Sequence, residues 1–122
     1  MGTDVLIKSG EQPRYFRFGS TNNYTTSTGD SNAIYKESPY SAFQAIVTGT
    51  GTVTGTVNVQ VTNEDATAAG TKANWITIGT ITLSGTTTAT DGFTTVAPWR
   101  WVRINVSAIS GTGATVEVIM AV

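Results

Sequence analysis

The chain has 122 residues and a net charge of −1, with 39% hydrophobic and only 12% charged residues. That length fits one domain able to bury roughly two-thirds of its unfolded surface, and the near-neutral charge argues against nucleic acid or an anionic membrane as partner. Neither cysteine nor histidine occurs, which removes disulfides, thiolate nucleophiles, thiolate metal sites and the commonest general base.

At the N-terminus, MGTDVLIKSG has no apolar stretch of the kind a secretory signal needs. No apolar run approaches about 18 residues, so no membrane span is expected and synthesis in a host cytoplasm is. Segments 4–8 and 15–19 read as short strands around a turn at Ser9-Gly10-Glu11-Gln12-Pro13. Residues 20–32, STNNYTTSTGDSN, are polar and aperiodic and read as a loop. Lys36-Glu37-Ser38-Pro39 interrupts the chain again. Residues 1–40 are therefore expected to form an N-terminal extended arm with short strands, carrying Lys8, Arg14, Arg17 and Lys36.

Residues 41–122 read as a second unit, a β-sandwich or jelly-roll domain. Phe43, Ala45 and Val47 mark a strand and 49–51 a turn. In the following segment Val53, Val57, Val59 and Val61 share one parity with Gly55, while Thr54, Thr56, Asn58, Gln60 and Thr62 take the other. A period of two is the signature of a strand with one buried and one wet face. Threonine, about one residue in five, suits such wet faces because it is β-branched. Residues 63–72 read as a loop. Residues 75–83 read as a strand with both faces partly apolar and Trp75 in the core. Residues 84–91 read as a second polar loop, and 93–96 as a short strand. In 101–109, Val102, Ile104, Val106 and Ala108 alternate with Trp101, Arg103, Asn105 and Ser107. Ser110-Gly111-Thr112-Gly113 reads as a hairpin loop leading to a last strand that buries Val116, Val118, Met120 and Val122. Seven or eight short strands without a helix imply an all-β antiparallel sandwich.

Catalytic equipment is sparse. Glu64 and Asp65 are adjacent, yet they and the lone acids Asp30 and Asp91 sit in turns, which their residue types explain. No D-x-D-x-D spacing suggests calcium, no S-x-x-K pair replaces the missing histidine, and the G-x-G in TGTGTVTG precedes no helix. No enzyme activity, cofactor or metal is expected. The remaining signal is aromatic and basic. Trp99, Trp101 and Arg103 share a parity opposite Val102 and Ile104, and Arg14, Tyr15, Phe16 and Arg17 form a second cluster. Tryptophan beside arginine serves protein interfaces and sugar-binding platforms alike.

A resemblance follows from residues 43–122. V-N-V-Q-V-T-N-E-D, a loop, N-W-I-T-I at 74–78, then W-R-W-V-R-I-N-V-S-A-I-S-G-T-G at 99–113 resemble the small β-sandwich virion proteins of tailed bacteriophages, including capsid decoration or cement proteins. The resemblance implies a structural protein on the outer surface of a phage head that clamps neighbouring major capsid subunits. Its partners would be the major capsid protein and its own copies, as homodimer or homotrimer, with Arg14, Tyr15, Phe16, Arg17, Trp99, Trp101 and Arg103 at the interfaces. Few charges guard the strand edges, so an edge strand could also add to a capsid sheet. The alternative is a carbohydrate-binding module or tail adaptor that uses the Trp99, Trp101 and Arg103 face for a glycan.

Overall fold

A computed structural model describes residues 15–18, 25–36, 38–64, 74–96 and 98–122. The described chain is all β and antiparallel, with six strands: β1 (Tyr15–Phe18), β2 (Gly29–Asp30), β3 (Ile34–Tyr35), β4 (Tyr40–Thr62), β5 (Ile76–Val96) and β6 (Trp101–Ala121). β4 is central, flanked by β5 on one side and β6 on the other, and the far side of β6 carries β1, β2 and β3. The expected strands at 4–8 and the 65–72 part of the expected loop lie outside the described residues.

Three of the six strands exceed 20 residues, and here the sequence reading needs correction. The glycine-rich stretches at 49–51 and 110–113 and the threonine-rich one at 84–91 are neither turns nor loops between separate strands. Each lies inside a strand that bends and carries on. Gly51 (φ 73°), Gly111 (φ 124°) and Gly113 (φ 64°) adopt backbone angles that only glycine takes without strain, and Thr87 joins them at φ 61°. The ladder slips around the bend, with register shifts between Thr48 and Thr54 on β4 against both neighbours. A glycine-rich bend within continuous strands has the same composition as a hairpin turn, so composition alone cannot separate them.

The bend divides the long strands into two halves. In one half, β4 residues 40–48 pair with 88–96 of β5 and 115–121 of β6, and β1 adds to β6. In the other, 52–62 pair with 76–86 and 101–110, and β2 and β3 add to β6. The apolar faces of the two halves meet. A Cβ built on Gly55 would sit 3.4 Å from Val116 Cγ2, and one on Gly79 would sit 2.5 Å from Phe93 Cζ, in each case across the bend. The core between them holds Phe43, Ala45, Val47, Val53, Val57, Val59, Val61, Ile81, Leu83, Val102, Ile104, Val106, Val116, Val118 and Met120. Each fully buried valine here contributes on the order of 1.5–3 kcal/mol relative to an exposed one.

Two bulges alter the expected faces. Between β4 and β6 the register slips at Thr56/Val57, so that Val57 faces Val106 and Thr56 faces Ala108, with Ser107 unpaired. Ala108, expected inward, is exposed, and Ile109 packs against the core instead. A second slip at Val59/Gln60 leaves Ile78 unpaired between Thr77 and Gly79. It accounts for a strand that looked apolar on both faces: a bulge exchanges the two parities. Thr62, assigned to the wet face, is buried, and its hydroxyl accepts the Glu64 amide at 3.1 Å.

The described parts of 1–40 run along β6. Tyr15 faces Ala121, Thr25 bridges to Val116, Asp30 faces Asn105 and Tyr35 faces Trp101. Thr25 and Gly29–Asp30 thus belong to the ladder rather than to the expected 20–32 loop, because the edge of β6 supplies partners that sequence cannot show. Phe18 enters the core at 4% exposure.

Candidate functional site

The outer face of the 52–62 half carries an interlocked set of polar and aromatic side chains. Its positions follow from strand alternation: with Val57, Val59, Val102 and Ile104 inward, Asn58, Gln60, Arg103 and Asn105 point outward. The cross-strand pairs Asn58–Asn105 and Gln60–Arg103 stand directly opposite each other in the ladder. Asn58 Nδ2 donates to Asn105 Oδ1 at 3.1 Å, and Thr80 Oγ1 donates to Asn58 Oδ1 at 2.8 Å. Arg103 Nε donates to Gln60 Oε1 at 2.8 Å, and Gln60 Nε2 donates to Thr77 Oγ1 at 3.2 Å. Asp30 closes the row from β2, accepting from Asn105 Nδ2 at 2.7 Å and lying 3.5 Å from Arg103 Nη1.

Arg103 is the centre of this face. Its guanidinium lies 4.4 Å from the centroid of the Trp75 ring, a cation–π contact. Trp75 is expected in the core, and the structure corrects this: it shares the parity of Ile81 and Leu83 but stands before the Ile78 bulge, which puts it on the opposite face, half-buried under Arg103. Next to it, Trp101 meets Tyr35 edge to face at 5.3 Å and 71°. The indole nitrogens of Trp75 and Trp101 are both buried without a hydrogen-bond partner.

Of the residues singled out from sequence, Trp101 and Arg103 are together on this face. Trp99 is not with them. It precedes β6 and packs against the core, because the chain bends at Arg100 and the alternation stops there. Arg100 is held by Asn63, whose side-chain oxygen accepts its amide at 2.9 Å, and its own carbonyl accepts the Lys36 amide at 2.8 Å. Lys36 is buried, its ammonium donates to the Ser38 carbonyl, and desolvation lowers its pKa.

The second cluster divides. Arg14 lies outside the described residues. Phe16 packs on the core beside Phe18, while Tyr15 and Arg17 point out. Arg17 forms an ion pair with Glu117, and Tyr15 is 67% exposed. Tyr15 and Arg17 belong to the 40–48 half and Trp101 and Arg103 to the other, so the two clusters are separate surfaces. Near Tyr15, Tyr40 and Val96 are also largely exposed, beside an open groove of about 460 Å3 lined by Tyr40, Ser41, Ala42, Thr94, Val96 and Ala121.

Sequence reasoning missed Tyr35, Trp75, Asp30, Asn58 and Gln60 as members of one site. The outward parity of Asn58 and Gln60 was visible, but their partners sit on other strands. Among the described residues, no three His, Cys, Asp or Glu side chains come together as a metal cluster. No protein-family model, curated protein or solved structure matches the chain.

Proposed function

We propose that this protein is a jelly-roll structural protein of a phage virion, which decorates the capsid by clamping neighbouring major capsid subunits from outside. The observation that carries the reading is the way the bent strands pair. Counting each long strand as two segments and β2 with β3 as one gives eight: 15–18, 29–35, 40–48, 52–62, 76–86, 88–96, 101–110 and 114–121. Numbered in chain order, one half has segments 1-8-3-6 and the other 2-7-4-5. Two four-stranded antiparallel layers interleaved in this manner are the jelly-roll plan, an architecture frequent in viral capsid and lectin domains.

The surfaces support clamping better than glycan binding. A sugar platform needs open, aligned ring faces, whereas Tyr35 and Trp101 stand edge to face and Trp75 is covered by Arg103. The separate exposed anchors, Tyr15 with Arg17 on one half and Tyr35 on the other, suit a protein that touches more than one neighbour. Linked contacts of that kind gain avidity of roughly 10²–10⁴ over a single contact. Of the arm expected over 1–40, 15–18 and 29–35 pair with β6 and are counted in the layers, while Arg14, outside the described residues, stays with the same proposal.

Quantitative mass spectrometry of purified virions of the encoding phage tests it. The expected result is hundreds of copies per particle at a simple ratio to the major capsid protein. A handful of copies would move the protein to the tail, and complete absence would overturn the virion reading.

A further inference from the structure

β5 is the edge of the sheet in both halves. Among the described residues it pairs with β4 alone, whereas on the other side of β4 the outer side of β6 is covered by β1, β2 and β3. Sheets guard such edges with lysine, proline or inward charge. β5 has none of these over residues 76–90, and Asp91 is its only charged residue. Pairing with β4 is unbroken from Gly79 to Thr86, a straight run between the Ile78 bulge and the bend.

That run is self-complementary. It reads Gly79-Thr80-Ile81-Thr82-Leu83-Ser84-Gly85. Turned end for end about Thr82, glycine falls on glycine, Thr80 on Ser84, Ile81 on Leu83 and Thr82 on itself. Burial has the same symmetry: Thr80, Thr82 and Ser84 are exposed, Ile81 and Leu83 buried, and both glycines half-buried. An antiparallel partner strand opposes residues by this rule and keeps like faces on one side of the sheet. An unrelated strand has no reason to match a palindrome, and a second copy of this chain matches it at every position.

We propose that two copies of the chain join edge to edge through residues 79–85 of β5, about a two-fold axis at Thr82, making one continuous eight-stranded layer. Three hydroxyl residues from each copy then line the outer face as cross-strand pairs. The edges at the other side of the described sheet are the short strands β1, β2 and β3, of two to four residues. The contact uses the same edge on both copies, so the pairing closes at two and does not propagate through β5. It rests on the virion reading for its use as a double clamp, though not for its chemistry.

The absence of native cysteine makes the test direct. Single variants T80C, T82C, S84C and, as a control on the other side of the sheet, T26C are oxidised as folded proteins. Residues facing across an antiparallel pair stand within disulfide range. T82C should cross-link at least tenfold faster than T26C, with T80C and S84C between them. In sedimentation, the unmodified chain should dimerise with a Kd of about 1–100 µM, as suits a small interface. T82K, which sets two ammonium groups face to face, should be monomeric with an unchanged circular dichroism spectrum. A chain that stays monomeric at about 500 µM, or T82C no faster than T26C, overturns the proposal. A monomer abundant on virions would overturn edge pairing and leave decoration standing. A Thr82-centred dimer absent from virions would support the pairing and remove its use.

Discussion

At the level of single residues, Gly79 shows how closely the two halves approach. A methyl group there would meet three atoms of the Phe93 ring at 2.5–3.0 Å. G79A should therefore destabilise the fold by about 1–3 kcal/mol, the usual cost of overfilling a packed core. Shrinking the ring should relieve it, so F93L in the G79A background should recover part of the loss. Urea denaturation of the four members of this double-mutant cycle measures the coupling, which distinguishes a cross-core clash from a general intolerance at position 79. The core valines of β4 and the even-numbered apolar residues of β6 up to Val106 were legible from alternation because each has one face in the ladder and one in the core. Trp75, Ala108 and Ile109 were not. Their sides are set by a bulge, and a bulge is a mismatch between two strands that neither strand records alone. The same holds for the Arg103 face. Its outward members could be named from parity, whereas the stacking of Arg103 on Trp75 depends on strand order across the sheet.

At the level of elements, β1 shows the limit of reading short segments. Tyr15–Phe18 has strand-like composition, but only its pairing with Val118–Ala121 brings Phe18 into the core. F18A should cost about 3–5 kcal/mol, as large-to-small changes of buried phenylalanine do. A midpoint shift in chemical denaturation would measure it, and a change under about 0.5 kcal/mol would mean that β1 contributes nothing to the fold. The long strands teach the complementary lesson. Their apolar periodicity was plain, but their length was hidden, because Thr- and Gly-rich bends were indistinguishable from turns until the register on either side was known. The all-β antiparallel character was thus within reach of the sequence, while the number and continuity of strands depended on contacts far apart in the chain.

At the level of the whole molecule, the pairing of Tyr15 with Ala121 brings the first described strand and the last together at one end of the sheet. This decides how the protein bears mechanical load. Ladder bonds lie perpendicular to their strands, so force pulling Tyr15 away from Ala121 falls on one bond at a time and peels β1 from β6 like a zip. Force between the two ends of β4 is different. The bend sets 40–48 and 52–62 in facing halves, each with a neighbour on both sides over most of its length, so drawing one end from the other must part the packed core and not a single ladder bond at a time. Forced unfolding is governed by the unfolding rate under load. Handles attached at 15 and 121 should therefore give low, gradual rupture in optical tweezers, and handles at 40 and 63 should give a single rupture at several times the force. A protein seated on a shell that is stretched from within would hold best when gripped through β4, and would be stripped most easily by its ends.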